Sequence, residues 1–443
     1  MIAVVVSRAD SASVHIGERL LELEDWEERT DDSRSDADGG GTYYRHADFE
    51  LREFDAMHLE LANVAEAFSA DPEFVAFVSR HSGDTGPLLT AHFTGNFGPA
   101  EYGGETGRFA RACPNAQKAV VEAFDRHAPD AYGVGVECTH HGPTDAGAPA
   151  MFVELGSDEA EWDDPAGARA VARSVLALSG VAADRERQLV GFGGGHYAPR
   201  FERIVRETDW AVGHIGAEWP LDAMGAPEHN REVIRRAFEA SAAEYAVVDG
   251  DHPELVSVVE ELGYRVVTET WVRETEGVSL DRLASLEADL SSVDEGLRLG
   301  ARVDDVADGA HVVVSLPDDL LAEAAGIDLD AALAAVHDRA VAYETREGGT
   351  KATGRAALPR EDDYDAVVDA LAAVLREKYD RVSHQQTAVV ATREAFDAAA
   401  AKSLGVPEGP AFGKLSAGKT VEIDDRTVTP GDVNSEETVV FRI

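Results

Sequence analysis

The stretch Val134 to Thr144, VGVECTHHGPT, ends an apolar run in Glu137, Cys138, Thr139, His140 and His141. A carboxylate beside two imidazoles suits a divalent metal, and imidazoles also carry protons near neutral pH. A polar loop that happens to be His-rich is the competing explanation. Similar groups recur in similar places. His81 follows FVAFVSR, His92 lies near the end of LLTAHF just before Asn96, and Glu154 closes AMFVELG. His196 follows LVGFGGG, and His214 follows WAVG. Six His and two Glu therefore fall at or just beyond the carboxyl ends of six predicted strands. In open α/β sheets that edge is where loops converge on a ligand crevice.

Each of these residues has an ordinary alternative. A lone His in a loop is more often a surface or hydrogen-bonded group than a ligand, and Glu154, Ser157 or Asp158 could cap a helix. The grouping is what favours a site, because His15, His46, His58, His127, His229, His252 and the three His of the carboxyl-terminal part show no such pattern. Neighbours on a strand face opposite ways, so His140 and His141 can share one site only where the backbone turns, and the following Gly-Pro-Thr supplies the turn. One of them is then expected to act directly and the other to buttress it. The Gly193, Gly194, Gly195 run lacks the third small residue of a dinucleotide fingerprint, since His196 stands there. It is either a tight turn or a place where backbone approaches a substrate. Arg200, Arg203 and Arg206 share a helical face after Pro199 and are either solvated or a phosphate contact.

The elements that must position these groups alternate. IAVVVS followed by DSASVHIGERLLEL opens the chain as strand and helix, and the rhythm continues to ELVSVVEELG near residue 262. An α/β layer fold is expected, a three-layer mixed sheet with helices on both faces. The acidic, Gly-rich stretch 31–41 is expected to project as a loop that does not pack. The strand–helix rhythm lapses around EGVSLDRLASLEADLSSVDEGLRLG, which divides a domain of 1–275 from a smaller α+β domain of 281–443.

Composition narrows the classes. The 443 residues are 44% hydrophobic, enough for real cores, and 84 acidic against 40 basic residues give a net charge of -44. Only six of those basic residues are Lys. Such a surface repels phosphate in dilute buffer, but at molar salt the Debye length shrinks to roughly 3 Å. A salt-saturated cytoplasm explains the charge and leaves RNA open as a partner. Two cysteines, Cys113 and Cys138, cannot build a disulfide framework or a Cys-rich zinc site, which fits a cytosolic protein. No signal peptide or membrane span is read from the chain.

Five of these stretches, SRHSG with LLTAHFTGNFG, then ECTHHGPT, MFVELGS, GFGGGHYAPRF and VGHIGAEW, resemble in the same order the archaeal and plant D-aminoacyl-tRNA deacylase family. The resemblance runs from Met1 to about Val267. It implies a fold like those of peptidyl-tRNA hydrolases and nucleoside phosphorylases, zinc as cofactor, and hydrolysis of the ester joining a D-amino acid to tRNA. The insertion at 31–41 and everything after about residue 280 depart from the basic family pattern. On this reading the expected zinc ligands are His140, His141, Glu154, His196 and His214. The expected catalytic groups are His81, His92, Asn96, Glu137 and Thr139. Substrate and tRNA contacts are expected from Gly193, Gly194, Gly195, Tyr197, Arg200, Arg203 and Arg206. Rejection of L-aminoacyl-tRNA is expected from pocket shape near the Gly-rich turn.

The tail GVPEGPAFGKLSAGKTVEIDDRTVTPGDV is similar to a segment of the tRNA 3′-processing endonucleases of the metallo-β-lactamase class. Their metal-binding His cluster is missing, so no nuclease activity is implied. Two of the scarce lysines, Lys414 and Lys419, fall inside it, which suggests tRNA docking rather than chemistry. A zinc-dependent, monomeric, cytoplasmic enzyme of a salt-adapted archaeon is the expectation. The alternatives are a metal-independent peptidyl-tRNA hydrolase-like esterase and a tRNA-binding module without catalysis.

Overall fold

The computed structural model describes residues 1–423 and 426–443. It divides into two units, Met1–Glu276 and Gly277–Ile443. In the first, ten strands come before residue 160: β1 (Ile2–Ser7), β2 (Glu27–Asp31), β3 (Gly41–His46), β4 (Phe49–Phe54), β5 (Phe74–Arg80), β6 (Leu88–His92), β7 (Gly95–Asn96), β8 (Arg108–Phe109), β9 (Gly133–Val136) and β10 (Ala150–Gly156). Eight of them form one mixed sheet in the order β2-β3-β4-β1-β5-β10-β6-β9. The middle strands read as continuous apolar runs because both faces are covered. β1, for instance, is buried at every residue. Its cover includes α1 (Ser11–Leu23), capped by the Asp10 carboxylate, which accepts from Ala12 N and Ser13 N. α2 (Pro114–His127), α3 (Glu159–Trp162) and α4 (Pro165–Leu176) follow, with α4 packed between α1 and α2.

A second, all-parallel sheet is built from β11 (Gln188–Gly193), β12 (Ala211–Gly216), β13 (Tyr245–Asp249) and β14 (Arg265–Val266), in the order β12-β11-β13-β14. Its connections include α5 (Pro199–Glu207), α6 (Glu218–Met224) and α7 (Arg231–Ser241). The expected mixed sheet is present, and two further sheets accompany it: this parallel one and the two-stranded β7–β8. The strands themselves lie where the apolar runs place them, but periodicity carries no information about which strands share hydrogen bonds.

Strand direction brings a second correction. β5 and β10 are parallel, whereas β6 runs antiparallel to β10 and β9 runs with β6. The carboxyl ends do not all lie on one edge. They meet because β6 ends early, with His92 opposite Phe152 and Thr90 opposite Glu154.

The acidic stretch 31–41 projects as expected over 32–38 but is anchored at its ends. Asp31 and Gly41 are paired ends of the β2–β3 hairpin. Positions 32–38 of the connection are exposed, and its end packs. Gly39 and Gly40 are buried, Asp38 bridges to Phe54, and Arg52 donates to Gly39 O at 2.8 Å and to Asp31 at 2.7 Å. A Cβ on Gly39, at φ +80, would strike the Phe54 ring at 2.5 Å. Glycine content here marks close packing.

The second unit is α+β. An antiparallel sheet orders Leu297–Leu299, Ala342–Arg346, Lys351–Leu358 and Val312–Ser315, and a three-stranded one orders Arg381–Gln385, Ala388–Phe396 and Asn434–Arg442. Helices Asp318–Ile327, Leu329–His337 and Asp363–Leu375 supply Leu320, Val336, Val367 and Leu371 to its core. A smaller core of Ala401, Val406, Leu415, Val421, Val428 and Val433 organises the residues between those last two strands. Among the described residues no helix is long and apolar enough to cross a membrane.

Candidate functional site

The loop that follows β9 crosses from one sheet of the first unit to the other. Cys138 N donates to His196 O and Thr139 N to Ile215 O, both at 2.8 Å. His141 then turns through φ +46, the left-handed region, which lets both adjacent imidazoles face the same way. His140 and His141 have ring centroids 4.5 Å apart, and His92 stacks on His140 at 4.2 Å.

All three rings are fixed in the same manner. Nδ1 lies 3.2 Å from Phe93 O for His92, 2.8 Å from Cys138 O for His140 and 2.7 Å from Gly142 O for His141. A carbonyl only accepts, so each Nδ1 carries a proton and Nε2 is the nitrogen left for other partners. This is the second-nitrogen arrangement that orients imidazole ligands on metals. His92 Nε2 is buried without a hydrogen-bond partner, and its nearest charge is Glu154 Oε1 at 3.5 Å. Offered ligand atoms of His92, His140 and His141 lie within 4.8 Å of one another. Burial pushes His140 down to about 4 and His141 well below its usual range, keeping both rings neutral. On His92 burial works against a proton, but Glu154 beside it favours one until a cation takes its place. A tripod of three fixed imidazoles with a carboxylate adjoining fits zinc's preference for N and O donors.

Beside the tripod is a group of carboxylates and cationic imidazoles. His81 Nδ1 is 3.2 Å from Glu137 Oε1 and 3.5 Å from Glu154 Oε2. His196 Nε2 donates to Glu137 Oε2 at 2.8 Å, while its Nδ1 lies 3.5 Å from Cys138 Sγ. Ser79 on β5 donates to Glu154 at 2.8 Å, and Thr90 on β6 donates to Glu137. Burial disfavours a proton on His81, but its two carboxylate partners prevail and hold it at about 9. Contact with Cys138 and the hydrogen bond to Glu137 raise His196 to about 10. Burial would raise the carboxylates, yet their imidazole partners keep Glu154 down at about 2 and Glu137 well below its usual range. His81 Nε2 faces Tyr197 Oη at 3.3 Å.

Ser79, His81, Glu137, His140, His141, Glu154 and His196 line a cavity of about 650 Å³, walled also by Met57, His58, Phe97, Tyr102, Phe152 and Trp219, while His92 lies behind that wall. Asn96 lines it as well, but its Nδ2 holds the loop beyond β7, donating to Gly103 O at 3.0 Å. Thr139 lines it with its hydroxyl already engaged.

Other expected residues lie elsewhere. His214 sits inside β12, wholly buried. Its Nε2 donates to Ala110 O at 2.9 Å and its Nδ1 meets the Thr139 hydroxyl at 3.0 Å, so neither nitrogen is free for a metal. Gly193 and Gly194 adopt φ of +86 and +76, and a Cβ on either would meet Asp249, at 1.9 Å and 2.7 Å. They form a tight turn; neither they nor Gly195 lines the cavity. Arg200 pairs with Asp249 and Glu269, Arg203 with Glu269, and Arg206 with Asp125 and Glu202. This face is neutralised by carboxylates and is not an open phosphate contact. Lys414 and Lys419 are exposed in the second unit.

Sequence reasoning missed four contributors. Ser79 and Thr90 are polar interruptions of apolar strands, a signal visible in FVAFVSR and LLTAH. Cys138 was set aside for want of other cysteines, yet it groups with His140 and His196. His58 was placed with the unpatterned histidines; it is buried against the cavity, its Nε2 3.3 Å from Ser13 Oγ. No local pattern in MHLE marks it.

A family model described as D-aminoacyl-tRNA deacylase matches residues 68–267. Proteins named D-aminoacyl-tRNA deacylase are 54% identical in Halorubrum lacusprofundi, over 100% of this chain and 97% of that protein, and 55% identical in Natronomonas pharaonis, over 98% of each. One from Methanoregula boonei is 32% identical over 98% of this chain and 96% of its own length. The second unit, read from sequence as a departure from the family, is therefore shared with these relatives. A crystal structure described as a conserved protein of unknown function is 29% identical, with a TM-score of 0.56, covering 63% of this chain and 99% of that one. With relatives of this identity matched end to end, the chain belongs to the D-aminoacyl-tRNA deacylase family.

Proposed function

We propose that this chain hydrolyses the ester joining a D-amino acid to tRNA, releasing both, in the cavity around His92, His140 and His141, with zinc as cofactor. The observation that carries the reading is the tripod: three imidazoles pinned through Nδ1 to backbone carbonyls, one Nε2 buried without a partner. His92, His140 and His141 would hold the ion, with Glu154 adjoining. Bound there, zinc would polarise the ester carbonyl and lower the pKa of water to ~7.

The chain's own residues cover the rest. His81, held as imidazolium by Glu137 and Glu154, is placed to give a proton to the departing ribose oxygen. Ser79 and Thr90 fix the carboxylates, so His81 keeps one orientation. Tyr197 Oη stands against the other ring nitrogen. Phe152 walls the apolar side against His92 and His141, at ring distances of 5.2 and 4.9 Å. The net charge and the haloarchaeal relatives support work in a salt-rich cytoplasm.

His140, kept neutral by burial and lining the cavity, favours one alternative, a metal-independent esterase with an imidazole as general base. Deacylation of D-Tyr-tRNA before and after exhaustive chelation decides between them. Loss on chelation, recovery with Zn²⁺ and about one or more zinc ions per chain by elemental analysis are expected. Full activity in metal-free protein would establish the alternative.

A further inference from the structure

Two aromatic rings at the cavity have no role in the chemistry above. Tyr102 is 69% exposed and Trp219 51% exposed, and both line the cavity that holds the histidines. Among the described residues they are the aromatic side chains left largely in solvent. Other large rings are covered: Trp210 and Trp271 are fully buried against each other at 5.4 Å. Exposed apolar surface concentrated at the mouth of a site marks something that covers it.

The backbone beneath both rings is fixed. Gly142 N donates to Tyr102 O at 2.9 Å, tying the loop to the His141 turn. Gly103 and Gly104, at φ +81 and +77, press so closely that a Cβ would meet Leu59 O at 2.8 Å and Thr144 Cγ2 at 2.5 Å. Trp219 stands near the start of α6, whose Pro220 and Ala223 also line the cavity. Gly98 packs on Ala223, where a Cβ would be 2.7 Å away, so loop and helix are held together.

The charge of the cavity points the same way. Its lining carries Asp10, Glu101, Glu137 and Glu154, and its cations are already engaged: His81 and His196 pair with Glu137, and the guanidinium of Arg80 lies over the Trp162 ring at 5.1 Å. A polyanion gains little here by charge pairing, and molar salt screens what remains. Stacking of a nucleobase on an aromatic ring needs no net charge and survives salt. The volume also suits a nucleoside carrying an amino acid, since pockets for ligands of that size run about 300–1,000 Å³.

We propose that Tyr102 and Trp219 form a stacking platform for the 3′-terminal nucleobase of tRNA, delivering the ester it carries to the histidine tripod. This rests on the reading that the chain acts on aminoacyl-tRNA. The terminal base is the part of tRNA next to the ester whatever the amino acid, so a platform at the mouth serves every substrate equally. It positions; it does no chemistry.

The test is calorimetric titration of the full-length protein, in molar KCl, with the uncharged trinucleotide CCA and with the same trinucleotide lacking its terminal base. Wild type should bind CCA at least about tenfold more tightly. Tyr102→Ala and Trp219→Ala should each weaken CCA binding by roughly 5- to 100-fold and leave the abasic form unchanged. Tyr102→Phe and Trp219→Phe keep a ring and should retain affinity, which separates stacking from misfolding. In deacylation the alanine variants should raise KM by a similar factor with kcat within about twofold. Equal affinity of wild type for both trinucleotides, or equal losses for both in the variants, overturns the platform. Base-dependent binding without hydrolysis would instead refute the deacylase reading and leave the platform standing.

Discussion

Two groups of polar residues looked alike as sequence: the histidines and glutamates at strand ends, and the arginine row of α5. The structure treats them oppositely. His92 is buried and its neighbours half-buried, and one nitrogen is left without a hydrogen bond. Arg200, Arg203 and Arg206 lie partly in solvent, and each finds a carboxylate. Solvated charges reach their partners at little cost, so pairing them says little about function. A buried polar atom without a hydrogen bond costs about 1–3 kcal/mol, and the one at His92 stands out because its neighbours are further imidazoles and a carboxylate. Partner accounting, more than residue type, separates the two groups.

The sharpest way to break that contrast is to remove a tripod imidazole. His140→Ala or His141→Ala should lower kcat/KM at least about a hundredfold and abolish stoichiometric zinc. The melting temperature of the metal-free protein should change little, because a strand-end loop contributes little to the core. Wild-type rates of D-Tyr-tRNA hydrolysis in both variants would reduce the stretch to a His-rich loop. Next in size is His81→Gln, expected to cost roughly 10²- to 10⁴-fold in kcat while zinc content stays intact. If zinc leaves with the imidazole, His81 is a ligand and not a proton carrier.

His214 offers a contrast within the histidines. It is buried like the tripod but satisfied at both nitrogens, so His214→Phe should cost stability, about 1–3 kcal/mol, and spare zinc binding. Burial pushes its pKa down to about 4 from an unfolded value of 6.5. The neutral folded form is thus favoured in full above pH 6.5, and stability drains away as pH falls from 6.5 towards 4. About 3 kcal/mol is at stake at 1.36 kcal/mol per pKa unit. Denaturant unfolding of the two proteins at pH 7.5 and pH 5 should show the wild type losing more than the variant. Equal losses would place the acid sensitivity elsewhere.

Much of this was legible beforehand, for identifiable reasons. Apolar runs such as FVAFVS and AMFVELG located β5 and β10, and residues closing those runs had to emerge near strand ends. What failed was long-range. Whether β6 pairs with β10, and in which direction, is decided by packing across the intervening chain of residues 93–149. His214 follows the apolar run WAVG just as His196 follows LVGFGGG, but its strand continues through Ile215 and Gly216, burying the ring. His214, expected as a zinc ligand, is a structural residue for that reason. Cys138 shows the limit of composition: a count of two excludes a cysteine-rich site and says nothing about one thiol among imidazoles.

A smaller effect is expected in the second unit. Lys414 and Lys419 are exposed, in a protein with six lysines. If that segment docks tRNA, replacing both by Ala should raise KM severalfold at low KCl. It should also flatten the salt dependence by roughly one unit of slope per lost phosphate contact, with kcat unchanged. An unchanged slope would assign the second unit to stability or to another partner.

The smallest effect, and the one that returns to the opening contrast, is expected from the arginine row. Glu269 Oε2 lies 3.2 Å from Arg200 and 2.7 Å from Arg203, while Glu202 and Asp125 each lie 2.6 Å from Arg206. A phosphate approaching this face must displace carboxylates already in place and meet their charge. Arg203→Ala and Arg206→Ala should therefore leave KM for charged tRNA and its KCl dependence within error. Stability should fall by less than about 1 kcal/mol, as for other solvent-exposed pairs. The informative control is Glu269→Gln, which releases Arg200 and Arg203 from their shared partner. If that change tightens tRNA binding at low salt, the arginines can reach phosphate and are restrained by pairing alone. If a single Arg→Ala change raises KM severalfold, the pairing seen here gives way when tRNA arrives, and partner accounting fails as a guide to exposed charges.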